Sequence, residues 1–387
     1  MSARPKIDTA QRRARLAMRH LLAPAHRCTS PEQVAQAVVA LHATDPATVF
    51  LSTGARLDRP GTAALERALY EDRTLVRMHG MRHTLFVFPA ELAPVVQAST
   101  MRKVAEKERR GLLAFAAEGG FDAAWLAKTE QRTLAALGEA GQATGARLGE
   151  LVPELREAIT VAAGKPYEAK QTIGVRLLRV MGMEGSIVRD RPIGGWTSGQ
   201  HQWALREALP ELPVAAAQAE LVRHWLASYG PATEEDVKWW TGWGLREVRA
   251  ALAACEAVPV DLTEGTGFVL ADATDPVPEP APWAALLPAL DPTPMGWRQR
   301  DWYLPTENRA ELFDRSGNIG PTVWWNGRIV GGWAQRADGE LALEYLEEVG
   351  ADAEAAVAAE AAGLQAWLGT TRVTPRFRTP LERRLSG

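Results

Sequence analysis

Cysteine, lysine and long apolar runs are scarce in this chain, and each shortage removes a class of protein. Only Cys28 and Cys255 are present. At most one disulfide can form, and two thiols cannot supply the four ligands of an iron-sulfur cluster; a reducing cytoplasm is the simplest setting. No Cys or His cluster has zinc-ligand spacing, no glycine-rich loop fits a phosphate, and no serine sits in a nucleophile-elbow context. Metal and cofactor are therefore expected to be absent. No run of 18 consecutive apolar residues occurs, which argues against a membrane-spanning helix. In the N-terminal MSARPKIDTAQRRARLAMRHLLAP, basic residues interrupt every apolar run before a signal-peptide core develops. Only seven of the 44 basic residues are lysine; with the richness in alanine, this matches a high-GC coding bias and carries no functional weight.

What is present describes a large globular chain. Its 387 residues predict two or three compact units, and 46% apolar with 24% charged residues is enough to bury sizeable cores. A net charge of -3 excludes a uniformly basic nucleic-acid coat, so any polyanion site must be a local patch. Twelve of the 14 tryptophans follow Trp196, so the two halves have different core chemistry.

The local patterns repeat one plan three times. Ser30, Pro31 and Gln33 form a helix start, Val34, Val38 and Leu41 follow at helical spacing, and Pro46 predicts that this helix ends near His42 to Thr44. A second helical stretch runs through Phe50 and Leu51. TLVRMHGMRHTLFVFP then reads as a hairpin about His79-Gly80. Next, LGELVPELREAI and EAKQTIGVRLLRVM read as helices before two extended stretches around a Pro-Gly-Gly turn. AQAELVRHWLASYGPAT ends a helix at Gly230-Pro231, Thr233 with Asp236 restarts one, LREVRAALAAC gives another, and VPVDLTEGTGFVLAD a hairpin. Helices followed by a hairpin describe a winged helix. After the proline-rich DATDPVPEPAPW, strands separated by Asn326-Gly327 and Asp338-Gly339 read as an antiparallel meander with type I′ turns, and an alanine-rich helix spans about 351 to 368. The expected fold class is α+β: winged helix-turn-helix modules at 8–110, 111–212 and 213–275, then a small C-terminal β-barrel or meander at 280–387.

Five segments together resemble the AlkZ/YcaQ-type winged-helix DNA glycosylase family: LLPALDPTPMGW (286–297), SGNIGPTVWWNGRIVGGW (316–333), SYGPATEEDVKWWTGW (228–243), MRHTLFVFP (81–89) and LHATDP (41–46). The resemblance covers nearly the whole chain. It implies a C-shaped molecule whose concave face accepts duplex DNA carrying alkylated purines, in the nucleoid, as a monomer without an obligate protein partner. It further implies a role in repair of alkylation damage and in self-resistance to a DNA-alkylating metabolite. The family's catalytic Gln, apolar residue, Gln or Asp falls where this sequence reads His42-Ala43-Thr44, so both polar positions differ.

An N7-alkylated purine is already a cationic leaving group. Its excision requires stabilisation of an oxocarbenium-like sugar and delivery of water to C1′, without lyase chemistry. His42 and Thr44 are the candidates for holding that water, and Asp45 for electrostatic support. At an unwinding helix C-terminus, the free carbonyls and Asp45 would raise the pKa of His42. Arg77, Arg82, Arg102, Lys103, Arg179, Arg189 and Arg191 are the expected phosphate contacts, with acidic residues around 340 to 360 on the opposite face. Asp291 and Asn318 fall in the best-matching segments and are candidate site-lining residues, or loop-fixing ones. Trp239, Trp240 and Trp243 are expected in the core. The alternative function is a catalytically silent winged-helix DNA-binding protein, regulatory or lesion-sensing.

Overall fold

The computed structural model describes residues 4–161, 164–166 and 168–387; the first three residues of the N-terminal run lie outside it. Helix starts follow their local chemistry. The Ser30 hydroxyl accepts from the Gln33 N–H at 3.3 Å while the Gln33 side chain accepts from the Ser30 N–H, opening the helix Pro31–Val38. Thr233 and Asp236 do the same for Glu234–Thr241.

One topology occurs three times. In the first unit, β1 (Leu41–His42) follows Pro31–Val38; helices Pro46–Gly54 and Ala63–Tyr70 come next, then the hairpin β2 (Leu75–His79) and β3 (Leu85–Pro89). The sheet order is β1-β3-β2, with Leu41 opposite Val87 and His42 opposite Phe86. In the second unit, after helix Ala123–Ala140, come β4 (Gln142–Thr144), helix Gly145–Leu151, a separate hairpin β5 (Ala158–Val161) and β6 (Ala169–Thr172), helix Ile173–Glu184, and hairpin β7 (Ile187–Pro192) and β8 (His201–Leu205), in order β4-β8-β7. The third unit has helix Val214–Tyr229, a single bridging residue Ala232 opposite Phe268, helices Glu234–Thr241 and Leu245–Ala254, and hairpin β9 (Val258–Leu262) and β10 (Gly265–Val269). The hairpin β5–β6 corrects the sequence reading, which extended helices across Ala158, Ile159 and 168–172. Helical spacing of apolar residues there is shared with short alternating strands, and cross-strand pairing of Ile159 with Gln171 decides the outcome.

The C-terminal region holds β11 (Ala284–Leu287), β12 (Thr322–Trp325), β13 (Arg328–Gln335) and β14 (Leu341–Tyr345), paired in sequential order as an antiparallel meander. The expected closed barrel is not formed: among the described residues β11 and β14 are the two free edges of an open sheet, one face of which is covered by the helix Ala351–Leu368 through Val357 and Ala361. Asn326 and Gly327 both have positive φ, as a type I′ turn requires. At Asp338-Gly339 only the glycine does; the Asp338 carboxylate accepts from the Glu340 N–H at 2.9 Å, and the connection is longer than a two-residue turn.

An aromatic core binds these parts. Met78, Phe86 and Phe88, on one face of the first sheet, pack with Trp225, Tyr229, Trp240, Trp297, Trp302, Tyr303 and Trp324. The opposite face, with Leu41, Ala43, Leu85 and Val87, buries the first unit's own helices. Trp240 lies in the core, with Trp239 and Trp243 packed against it, as expected. The second unit has a separate core around Leu177, Met181 and Trp203. Its hairpin tip reaches back: the Trp196 ring lies 5.3 Å from Phe50 and 6.1 Å from Trp367. Cys28 and Cys255 are both free. No helix among the described residues is long and apolar enough to cross a membrane.

Candidate active site and cationic wall

The helix that opens at Pro31 ends at Val38, four residues before the expected stop. Val39 takes φ +63, and Leu41 and His42 enter the sheet instead. A β-branched residue there is strained by about 1–3 kcal/mol, offset by complete burial of Val39 and by the strand pairing that follows. Asp45 and Pro46 therefore begin a helix rather than end one. The Asp45 carboxylate caps Pro46–Gly54, accepting from the Ala47 N–H at 3.1 Å, and its other oxygen accepts from the backbone N–H of Arg376 at 2.9 Å. The expected field of free carbonyls at a helix C-terminus is absent from this position.

The extended backbone sets the side-chain directions. His42 faces Phe86, Ala43 points to the opposite core, and Thr44 follows in the bend before Asp45. Both backbone groups of Ala43 are held: its N–H donates to the Leu85 carbonyl at 2.8 Å, and its carbonyl accepts from the Arg77 guanidinium at 2.7 Å. His42 is buried, with its ring edge-on to Phe86 at 5.2 Å, while Thr44 is half-buried. The Thr44 N–H approaches Nδ1 of His42 at 3.5 Å, the long limit of a hydrogen bond, which favours the tautomer protonated at Nε2. Burial, aided by the nearby Arg82 charge, pushes the His42 pKa down to about 3. The expected upward shift is thus reversed, because the imidazole lies on a strand against Phe86.

The expected cationic residues divide into three groups. Arg77 is buried and bound to the Ala43 carbonyl, so it fixes the segment that follows β1. Arg191 pairs with Glu66 and Glu71, Lys103 with Glu247, and Arg102 donates to the Leu212 carbonyl at 3.4 Å. Arg82, at the hairpin tip with φ +54, lies over the Trp239 ring at 4.3 Å. Arg179 makes only a long 3.9 Å contact to Glu108, and Arg189 makes no hydrogen bond or ion pair among the described residues, though it sits over Trp203 at 5.5 Å. The acidic residues of 340–360 include Glu344, Glu347 and Glu360, which pair with Arg384, Arg328 and Arg27.

Asp291 is not at this site. Fully buried, it binds Arg56 through two hydrogen bonds of 2.8 and 2.7 Å, tying the end of Pro46–Gly54 to the segment before β12. Asn318 donates to the Asp314 carboxylate at 2.9 Å and fixes a turn, the loop-fixing option. Sequence reasoning missed Arg376, whose guanidinium contacts the Thr44 carbonyl at 3.4 Å, and also His79 and His201 beside Arg189. Arg376 lies over 330 residues from Thr44, and no local pattern marks it.

A family model described as DNA glycosylase AlkZ-like matches residues 35–367. Among solved structures, the Streptomyces sahachiroi DNA glycosylase AlkZ is similar in fold, with a TM-score of 0.71 and 20% identity, covering 96% of this chain and 99% of that one. Comparison with curated protein sequences gave no match.

Proposed function

The chain belongs to the AlkZ-like DNA glycosylase family, and on that premise we propose that it hydrolyses the N-glycosidic bond of N7-alkylated purines in duplex DNA by direct attack of water. The observation that carries this reading is His42, held neutral at the end of β1 with its Nδ1 3.5 Å from the Thr44 N–H. The substrate base is cationic, and the sugar becomes cationic as the bond breaks. An imidazolium at this position would repel both; a neutral ring with Nε2–H orients a water oxygen without adding charge. The Thr44 hydroxyl oxygen accepts a hydrogen bond from that water. A water lone pair then forms the bond to C1′, the C1′–N9 pair leaves with the now neutral base, and the surplus proton passes to solvent. A Gln offers the same neutral donor and acceptor chemistry, so His-Ala-Thr is a substitute for the family's pair rather than its loss.

Asp45 acts indirectly in this scheme, by fixing the strand end. Attack by water rather than by a lysine amine makes this a monofunctional hydrolase without a lyase step. The threefold sheet order, first strand beside third beside second, supports reading 8–110, 111–212 and 213–275 as winged helices arranged around duplex DNA, with 280–387 as their support. Bulky adducts of a DNA-alkylating metabolite are the substrates that such a role in self-resistance would require.

The test is release of N7-methylguanine from a defined duplex, with alkali cleavage reporting the abasic site. Release above the buffer control, lost in His42→Ala and Thr44→Ala with duplex affinity kept, is the expected result. A protein that binds the duplex yet releases no more base than buffer refutes the reading for that substrate.

A further inference from the structure

The guanidinium of Arg189 is the least explained charge in the molecule. It is half-buried on β7, its Nε is enclosed without a partner, and no carboxylate approaches it among the described residues. Asp190, next in sequence, turns away to Arg73 at 3.1 Å. Burial first, and then the charges of Arg77, Arg376 and Arg179 around it, push the Arg189 pKa down to about 10. His79 and His201 share the same field and are held near 3 and 4, His79 by burial and by Arg189, Arg179, His83 and Arg77, His201 by burial, Arg189 and Arg77. Nε2 of His201 is also enclosed and unpartnered.

Arg179, Arg189 and His201 border an open cleft of about 800 Å³, with Thr144, Gln200 and Trp203, and Arg189 also lines a second cleft together with Arg77, whose guanidinium holds the Ala43 carbonyl. Four guanidiniums at mutual repulsion cost stability, and a fold keeps such a cluster when an anion completes it. Arg376 connects the cluster to the catalytic strand, because its backbone N–H holds Asp45 and its guanidinium reaches the Thr44 carbonyl. An anion held by Arg376 would lie beside the segment that carries His42 and Thr44.

We propose that Arg189 and Arg376, with His201, form a clamp for one backbone phosphodiester of the lesion-bearing strand, and that this clamp sets the position of the target sugar over His42 and Thr44. The proposal rests on the glycosylase reading and adds to it a positioning site built from the second unit's hairpin and the C-terminal segment. Held between two guanidiniums, the phosphate accepts charge-assisted hydrogen bonds from both. Free phosphate has the same chemistry, but only a phosphodiester in DNA is fixed relative to the sugar.

The experiment uses the full chain and a duplex with one tetrahydrofuran abasic analogue. Binding is measured across a salt series for the wild type, Arg189→Ala, Arg376→Ala and Arg336→Ala, the last removing an equal charge that pairs with Glu340 elsewhere. Each lost phosphate contact lowers the slope of log affinity against log salt by about 0.9. The clamp variants are expected to share one such loss, and the control to keep the wild-type slope. Duplexes with a single neutral methylphosphonate, moved along the lesion strand, locate the phosphate. One position should weaken the wild type about tenfold or more and leave Arg376→Ala unaffected, whereas inorganic phosphate at the same concentration should not compete. Equal sensitivity of wild type and Arg376→Ala at every position, or effective competition by inorganic phosphate, overturns the clamp. Failure of the wild type to bind any duplex overturns the glycosylase reading itself, so the two failures are distinct. Single-turnover excision at saturating enzyme adds the positioning readout: Arg376→Lys should restore binding more than rate, and a variant that loses affinity alone would make Arg376 a mere tether.

Discussion

Restoring glutamine at position 42 separates a water-holding imidazole from a proton-accepting one. With its pKa near 3, His42 resists protonation by roughly 4–5 kcal/mol relative to a solvated histidine. At pH 5 only about 1% of the ring is charged, against about 97% for an ordinary histidine. Single-turnover excision of N7-methylguanine, corrected for spontaneous loss at each pH, should therefore stay level from pH 8 to pH 5. A base of ordinary basicity would instead lose about 30-fold by pH 5. His42→Gln should remain within about tenfold of the wild type with the same flat profile, while His42→Ala should fall about 100-fold. The titration of the His42 ring protons by NMR reports the pKa directly. An acid limb near pH 6.5 in the wild type that vanishes in His42→Gln would refute the reasoning, because it would make His42 the proton acceptor.

Other consequences concern stability. Asp291→Ala leaves the Arg56 guanidinium buried without its counter-ion and should cost about 3–5 kcal/mol, seen as a lower denaturation midpoint; a loss below 1 kcal/mol would contradict the burial of the pair. Asp45→Ala removes a helix cap and the tie to Arg376, together about 2 kcal/mol, and should loosen the C-terminal segment in hydrogen exchange. His42 and His79 are both held neutral in the folded chain, so their contribution is complete above pH 6.5 and is lost as the unfolded chain takes up protons below it. Each should subtract up to about 2 kcal/mol between pH 7 and pH 5. Urea titrations that give equal stability at both pH values would exclude this, and replacing both by Gln should flatten the dependence.

The hairpins β2–β3, β7–β8 and β9–β10, the capping boxes at Ser30 and Thr233, and the helix 351–368 are legible because each is written in adjacent residues, unlike β5–β6. The β1 strand is not, although its signal is present. Ser30-Pro31 reads as a helix start in sequence and Asp45-Pro46 as a helix end, although the two pairs have the same chemistry and both open helices. Two residues of strand leave too little periodicity to identify, and the left-handed turn at Val39 has no favourable residue to announce it. Closure of the barrel was equally out of reach, since the pairing of sheet edges depends on packing between β11 and β14 and on no single turn.

An internal repeat would have corrected the strand. His42-Ala43-Thr44, Gln142-Ala143-Thr144 and Pro231-Ala232-Thr233 each stand between a helix and the next, with the central alanine buried and paired to the last strand of its unit. In the second and third units the threonine caps the following helix; in the first, Asp45 takes that duty one residue later. That single extra residue releases Thr44 from capping, and its backbone N–H instead approaches Nδ1 of His42. The first unit thus differs from its two structural counterparts at the point where the proposed hydrolysis calls for a hydroxyl and a neutral imidazole together, and Thr44→Ser, which keeps the hydroxyl, should retain more excision than Thr44→Val, which keeps the shape.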